Sequence, residues 1–150
     1  MKYIGVTALI ISTTGAGLYL RSTAMKRVKI CRALVTLCDI ICVDISYRRT
    51  PLPELIGTGC SGVLSFITPE AVMKKSELRS CLNESDNAQI SDFLFMLGKS
   101  DAHSQLKLIE SFRSYSEGAL KRYSEEYSKN SKLYVSIGVF GGLVLALIMI

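Results

Sequence analysis

Two stretches of this chain carry no charged side chain over 18 residues, Tyr3 to Leu20 and Leu133 to Ile150. At a rise of 1.5 Å per residue each spans roughly 27 Å, close to the hydrocarbon thickness of a bilayer. Both are expected to be transmembrane helices, which divides the chain into a span at 1–20, a middle domain at 21–132 and a second span at 133–150. A cleaved signal peptide is the alternative for the first run, and Gly15-Ala16-Gly17 resembles a cleavage site. The flanks argue against it: only Lys2 precedes the run and a strongly basic stretch follows, the reverse of the usual bias. A buried core helix is the alternative for the second, but that run has no polar face.

The flanking charges also set an orientation. Arg21, Lys26, Arg27, Lys29 and Arg32 follow the first run, and Lys121, Arg122, Lys129 and Lys132 precede the second. Basic residues stay on the cytoplasmic side, so the middle domain is expected to face the cytoplasm of a cell membrane that the chain crosses twice. These flanks largely explain the formal net charge of +5. No zinc-finger, helix-turn-helix or RNA-recognition pattern accompanies them, so nucleic acid is not an expected partner.

Within the middle domain, polar Lys29, Arg32, Thr36, Asp39 and Ser46 recur at helical spacing. Val28, Cys31, Leu34, Val35, Cys38, Ile41, Cys42 and Ile45 cover the rest of an amphipathic helix with a wide apolar face. Pro51 breaks it, and Thr50 is placed to cap a following helix with Pro51 at its first position. Gly57, Gly59 and Gly62 weaken helix propensity as far as Phe66, a second start signal stands at Thr68-Pro69-Glu70, and residues 76–86 read as a polar connector. Ile90, Phe93, Leu94 and Leu97 form a short stripe closed by Gly98, a residue suited to the left-handed position after a helix. Ser100 or Asp101 is placed to cap the next helix, whose face is marked by Leu106, Ile109, Phe112, Ala119, Tyr123 and Tyr127. No proline follows residue 70, so this helix is expected to run from about 101 into the second span. The fold class expected is all-α, a helical bundle between two membrane helices.

"FLFMLGKSDAHSQLKLIESF" holds the only histidine, His103, between Asp101 and Gln105. Cys60 or Cys81 with His103 would be needed for a cysteine hydrolase, yet no motif surrounds either thiol. Cys31, Cys38 and Cys42 share helical spacing, no CxxC occurs, and a reducing compartment disfavours disulfides. A zinc site would need ligands from distant segments. Phosphate-cradling and HExxH motifs are absent, and Glu125 and Glu126 lie among lysines. No enzyme activity, cofactor, metal or small-molecule substrate is therefore expected. In the second run, Gly138 and Gly142 are four apart, a spacing that lets helix backbones approach closely in lipid.

"ISYRRTPLPELI", "FMLGKSDAHSQL", the start "GVTALIISTTGAGLYL" and the ending "SKLYVSIGVFGGLVLALIMI" occur in this order. Together they resemble the stage III sporulation protein AB family. The matching residues are Tyr47, Thr50, Pro51, Leu52 and Glu54 in the first motif and Leu97, Gly98, Asp101 and Gln105 in the second. The resemblance implies a component of the secretion-like channel complex built between mother cell and forespore, in the mother-cell membrane around the forespore. It further implies a helical cytoplasmic domain similar to those of the type II secretion inner-membrane platform protein, with a secretion-type ATPase and other membrane components of the complex as partners. The expected role is docking that ATPase at the membrane; a membrane-anchored adaptor or regulator unrelated to sporulation is the alternative. Arg48, Arg49 and Glu54 are the candidate partner-binding residues, because the first break carries charge that packing does not explain.

Overall fold

The computed structural model describes residues 2–47, 51–60, 62–68, 70, 78–97, 99 and 101–149. Within its helices the side chains of 2–10, 52, 53, 58, 102, 134, 135, 138, 142, 145, 146, 148 and 149 stand outside that description. The helices bounded among the described residues are α1 (Lys2–Tyr47), α2 (Leu52–Gly59), α3 (Glu84–Met96) and α4 (Ala102–Met149), with a 3₁₀ turn at Gly62–Leu64. Among the described residues there is no strand, so the fold is all-helical. The chain divides into two compact units, one of Met1–Val28 with Arg122–Ile150, the other of Lys29–Lys121.

α1 continues for 46 residues because nothing in it interrupts the helical ladder before the approach to Pro51. Three of its hydroxyls bond one turn back: Thr23 donates to the Tyr19 carbonyl at 3.1 Å, Thr36 to Arg32 at 3.2 Å and Ser46 to Cys42 at 2.8 Å. α2 starts one residue later than expected. Pro51 is the N-cap, in extended geometry, and Leu52 and Pro53 occupy the first helical positions, which lack a need for intrahelical donors. Thr50 lies outside the described residues. Of the three glycines that weaken the following stretch, Gly62 adopts a left-handed backbone, φ +69°, at the start of the 3₁₀ turn.

The Lys29–Lys121 unit is built around one apolar core. From α1 come Ile30, Cys31, Leu34, Leu37, Cys38 and Ile41, spaced by three and four as one helix face requires. Ile56, Cys60, Leu64 and Ile67 face it from α2 and the turn region, Ile90, Phe93, Leu94 and Leu97 from α3, and Ile109, Phe112 and Ala119 from α4. Full burial of each large apolar side chain favours folding by about 1.5–3 kcal/mol, so these residues dominate the unit's stability. The Phe93 and Phe112 rings stack with centroids 3.9 Å apart and planes within 6°, which locks α3 onto α4.

Two expectations need correction here. Cys42, counted with the apolar face of α1, is exposed; the buried face is narrower and passes beside it, through Cys38, Ile41 and Asp44. The connector expected to reach residue 86 stops at Asn83, and it is not merely polar. Leu78 and Leu82 are buried, and Ser80 holds the turn by donating to Asn87 Oδ1 while its oxygen accepts the Leu82 N–H at 3.2 Å. The helix starts early enough to carry Asp86 into the core.

In the other unit, the two helix segments run antiparallel. Arg21 Nε lies 3.4 Å from the Tyr127 hydroxyl, and the Arg27 and Arg122 guanidinium carbons lie 5.8 and 5.2 Å from the Tyr123 ring centroid. Further toward the helix ends, Ile11 (72% exposed), Ile137 (67%), Phe140 (66%) and Leu147 (76%) present their apolar side chains outward. Among the described residues no helix is long and apolar enough to cross a membrane. The spans expected at 1–20 and 133–150 include many side chains outside the description.

Candidate functional site

The first break follows from its prolines. Tyr47, the last residue of α1, is almost fully exposed, and the Pro51 carbonyl accepts the N–H groups of Glu54 at 3.0 Å and Leu55 at 3.2 Å to open α2. Glu54 is exposed in the first turn, where the helix dipole favours a carboxylate. Of the other candidates, Arg48 and Arg49 lie outside the described residues, as does the Leu52 side chain. Tyr47 and Glu54 thus stand on the surface at either end of the break.

At the second break α3 is followed by its C-cap Leu97, which is buried and extended, with its N–H bonded to the Phe93 carbonyl at 3.0 Å. Gly98 and Ser100 lie outside the described residues. Lys99 sits over the Phe95 ring, 3.0 Å from its centroid. Asp101 Oδ2 accepts the Ser104 N–H at 3.3 Å, the N-cap to third-residue bond, while its carbonyl accepts the Gln105 N–H at 2.9 Å. Hydrogen bonds from the Ser104 side chain and then its backbone hold the Asp101 carboxyl below its ordinary value of 3.8. His103 is exposed in the first turn of α4. This cluster is a helix start. Gly138 and Gly142 lie within α4, and what they pack against is outside the description.

The thiols are set up for packing rather than for nucleophilic attack. Burial pushes Cys38 up to about 12, with the Asp39 charge adding to it, and burial alone pushes Cys60 up to about 11. Both are neutral thiols at pH 7, and a protonated thiol is a poor nucleophile and metal ligand. Among the described residues, no group of three or more His, Cys, Asp or Glu side chains is placed to hold a metal ion.

Three arrangements escaped sequence reasoning. Tyr115 donates its hydroxyl to Asp86 Oδ1, joining α4 to the first turn of α3. Arg113 Nε lies 3.2 Å from Asp39 on α1 and 3.3 Å from Glu117 one turn along α4. All three side chains of that triad are about half exposed, so it orients the helices more than it stabilises them. The i,i+4 spacing of Arg113 and Glu117 was a local signal; the partners 29 or more residues away had none. The third is an open groove between α1 and the segment from Gly59 to Leu64. Leu37 and Leu64 form its buried floor, Ile40 and Val63 its exposed apolar lips, and Lys29 and Arg32 stand at one end.

Neutral buried thiols, one side-chain-capped helix start at Asp101 and an all-helical core describe an all-helical protein, with no reactive pair assembled among its described residues. The chain belongs to the stage III sporulation protein AB family, whose profile matches residues 2–61 and 68–150. The intervening residues 62–67, which include the left-handed Gly62, fall outside that match. Neither the curated proteins nor the solved structures compared with the chain give a match.

Proposed function

We propose that the chain is a non-enzymatic component of the stage III sporulation channel complex, anchored by two membrane spans, whose middle unit faces the cytoplasm and docks a secretion-type ATPase. Membership of the family ties it to stage III of sporulation. The observation that carries the membrane part is the outward-facing apolar surface of the helix ends. Ile11, Leu18, Ile137, Phe140, Val144 and Leu147 face away from their own unit, and in water so many exposed apolar groups on two helices would drive association. Lipid is the solvent that accepts them. Exposed Arg21, Lys26, Lys129 and Lys132 follow on the side toward the middle of the chain, where cytoplasmic basic residues belong. The buried thiols of the core need no oxidation to be stable, in keeping with a reducing compartment.

In this role the protein does no chemistry. It holds a helical unit at a fixed place on the membrane, and Tyr47, Glu54 and the arginines between them offer the ATPase a charged contact at the first break. Purification of the full chain from sporulating cells tests docking directly. The ATPase is expected to co-purify, and charge reversal at Arg48, Arg49 and Glu54 to release it; its repeated absence from the wild-type preparation would end the docking role. Labelling of single cysteines from each side of the membrane tests the orientation separately.

A further inference from the structure

We propose that the groove between α1 and the Gly59–Leu64 segment receives an acidic amphipathic helix from a different protein. The groove lies within the Lys29–Lys121 unit and follows α1 from Lys29 to Ile40, three turns or roughly 16 Å at 1.5 Å per residue. Its floor, Leu37 and Leu64, is sealed, while Ile40 (42% exposed) and Val63 (43%) remain open on its two sides. Gly59 lines it too; α2 comes so near α1 there that a Cβ on Gly59 would meet Leu37 Cδ1 at 3.3 Å. An apolar floor with exposed apolar residues on both sides, running three turns along a helix, fits a second helix with anchors one turn apart.

Charge decides which helix. The lining contains two cations, Lys29 and Arg32, and no acid, and neither cation is paired with an acid among the described residues. A second copy of this chain is a poor occupant: its formal net charge is also +5, its adjacent Glu125 and Glu126 are flanked by Lys121, Arg122, Lys129 and Lys132, and α3, which carries acids without cations, keeps Ile90, Phe93 and Leu94 in its own core. A flat lipid surface would meet the basic end but cannot reach a concave floor. An acidic helix satisfies both features, its carboxylates at the Lys29 end and its apolar stripe between Ile40 and Val63.

A photo-crosslinking amino acid at Ile40 or Val63 of the full chain, in membranes of sporulating cells, reads the occupant. Adducts at both positions are expected to map to one acidic helical segment of another protein. K29E/R32E should lower their yield about ten-fold, two attractive contacts having become repulsive. Reversing the acids of the captured segment should restore it. Circular dichroism of the purified variant checks that the exposed substitutions leave the fold intact, and Ile40→Asp, also on the surface, serves as a second variant. Adducts to lipid, adducts to a second copy, no adduct at either position, or a yield indifferent to K29E/R32E would each overturn the proposal. ATPase docking is scored separately by co-purification: a captured helix from another chain leaves the groove assignment standing while that role fails.

Discussion

The Tyr115 hydroxyl donates a hydrogen bond to Oδ1 of Asp86, a carboxylate almost wholly withdrawn from water in the first turn of α3. The pair is separated by 29 residues, so it forms only when α3 and α4 dock. Tyr115→Phe removes this donor from a buried acceptor, a loss of about 1–3 kcal/mol. Thermal and denaturant unfolding of the full chain in detergent should show that loss. In the double variant with Asp86→Ala the two losses should fall short of adding, because both changes remove the same hydrogen bond.

Buried thiols make a chemical prediction. With Cys38 at about 12 and Cys60 at about 11, against an ordinary 9.0, the folded state keeps both protonated where the unfolded chain ionises them. Their contribution to stability is fully present below 9.0 and lost as pH rises from there toward those folded values. Cys38→Ala should flatten the alkaline part of the stability curve. Maleimide labelling at pH 8 should modify exposed Cys42 quickly and leave Cys31, Cys38 and Cys60 untouched until denaturant is added.

How far the sequence carries depends on whether a feature is local. The stripe of Ile90, Phe93 and Leu94 and the cap at Asp101 follow from spacings of three and four, and both are visible in the structure. The burial of Leu78, Leu82 and Asp86 was not legible, because a short polar stretch gains its core residues from neighbours distant in the chain. Cys42 misled for the same reason: periodicity gives the direction of a side chain but not where the neighbouring helices end. The groove was beyond reach, since Val63 opposes Ile40 only after α2 has turned back on α1.

Asp101 should titrate below 3.8, as carbon-13 shifts of its carboxyl group would report, and Ser104→Ala should raise the midpoint by removing the larger of its hydrogen bonds. A depressed folded value means that the cap contributes stability above the unfolded value and loses it as pH falls through the folded one. Asp101→Asn keeps an acceptor for the Ser104 N–H and should abolish this acid dependence while α4 still starts at the same residue. His103→Ala, one exposed side chain in the same turn, should change stability by less than about 0.5 kcal/mol.

Gly62 separates backbone strain from crowding. A Cβ there would meet nothing within 4 Å, yet φ +69° is a conformation that side-chain-bearing residues avoid. Gly62→Ala should therefore cost about 1–2 kcal/mol with no packing change. Ala at Gly57, equally open but without the positive φ, should be neutral or stabilising within helix α2. A pair of melting curves decides between strain and crowding as the reason for glycine at position 62.

The outward apolar residues of α4 give opposite expectations in lipid and in water. Ile137 and Phe140 contact little of their own unit, so in water Ile137→Lys would be silent or would improve solubility. In a bilayer the lysine faces hydrocarbon, at about 2.5–3.5 kcal/mol near the centre of a span. Because the first span still holds the chain, Ile137→Lys and Phe140→Lys together should keep the second from crossing, so that a single cysteine at the end of α4 becomes labelled from the cytoplasmic side. Lys132→Leu, which removes a flanking cation but adds no charge to the span, should leave it bound and weaken its orientation. Fractionation with carbonate washing, together with single-cysteine labelling from each side, reads both outcomes. Unchanged labelling of that cysteine in the double-lysine variant would exclude this face from lipid, and those side chains would then need a protein partner.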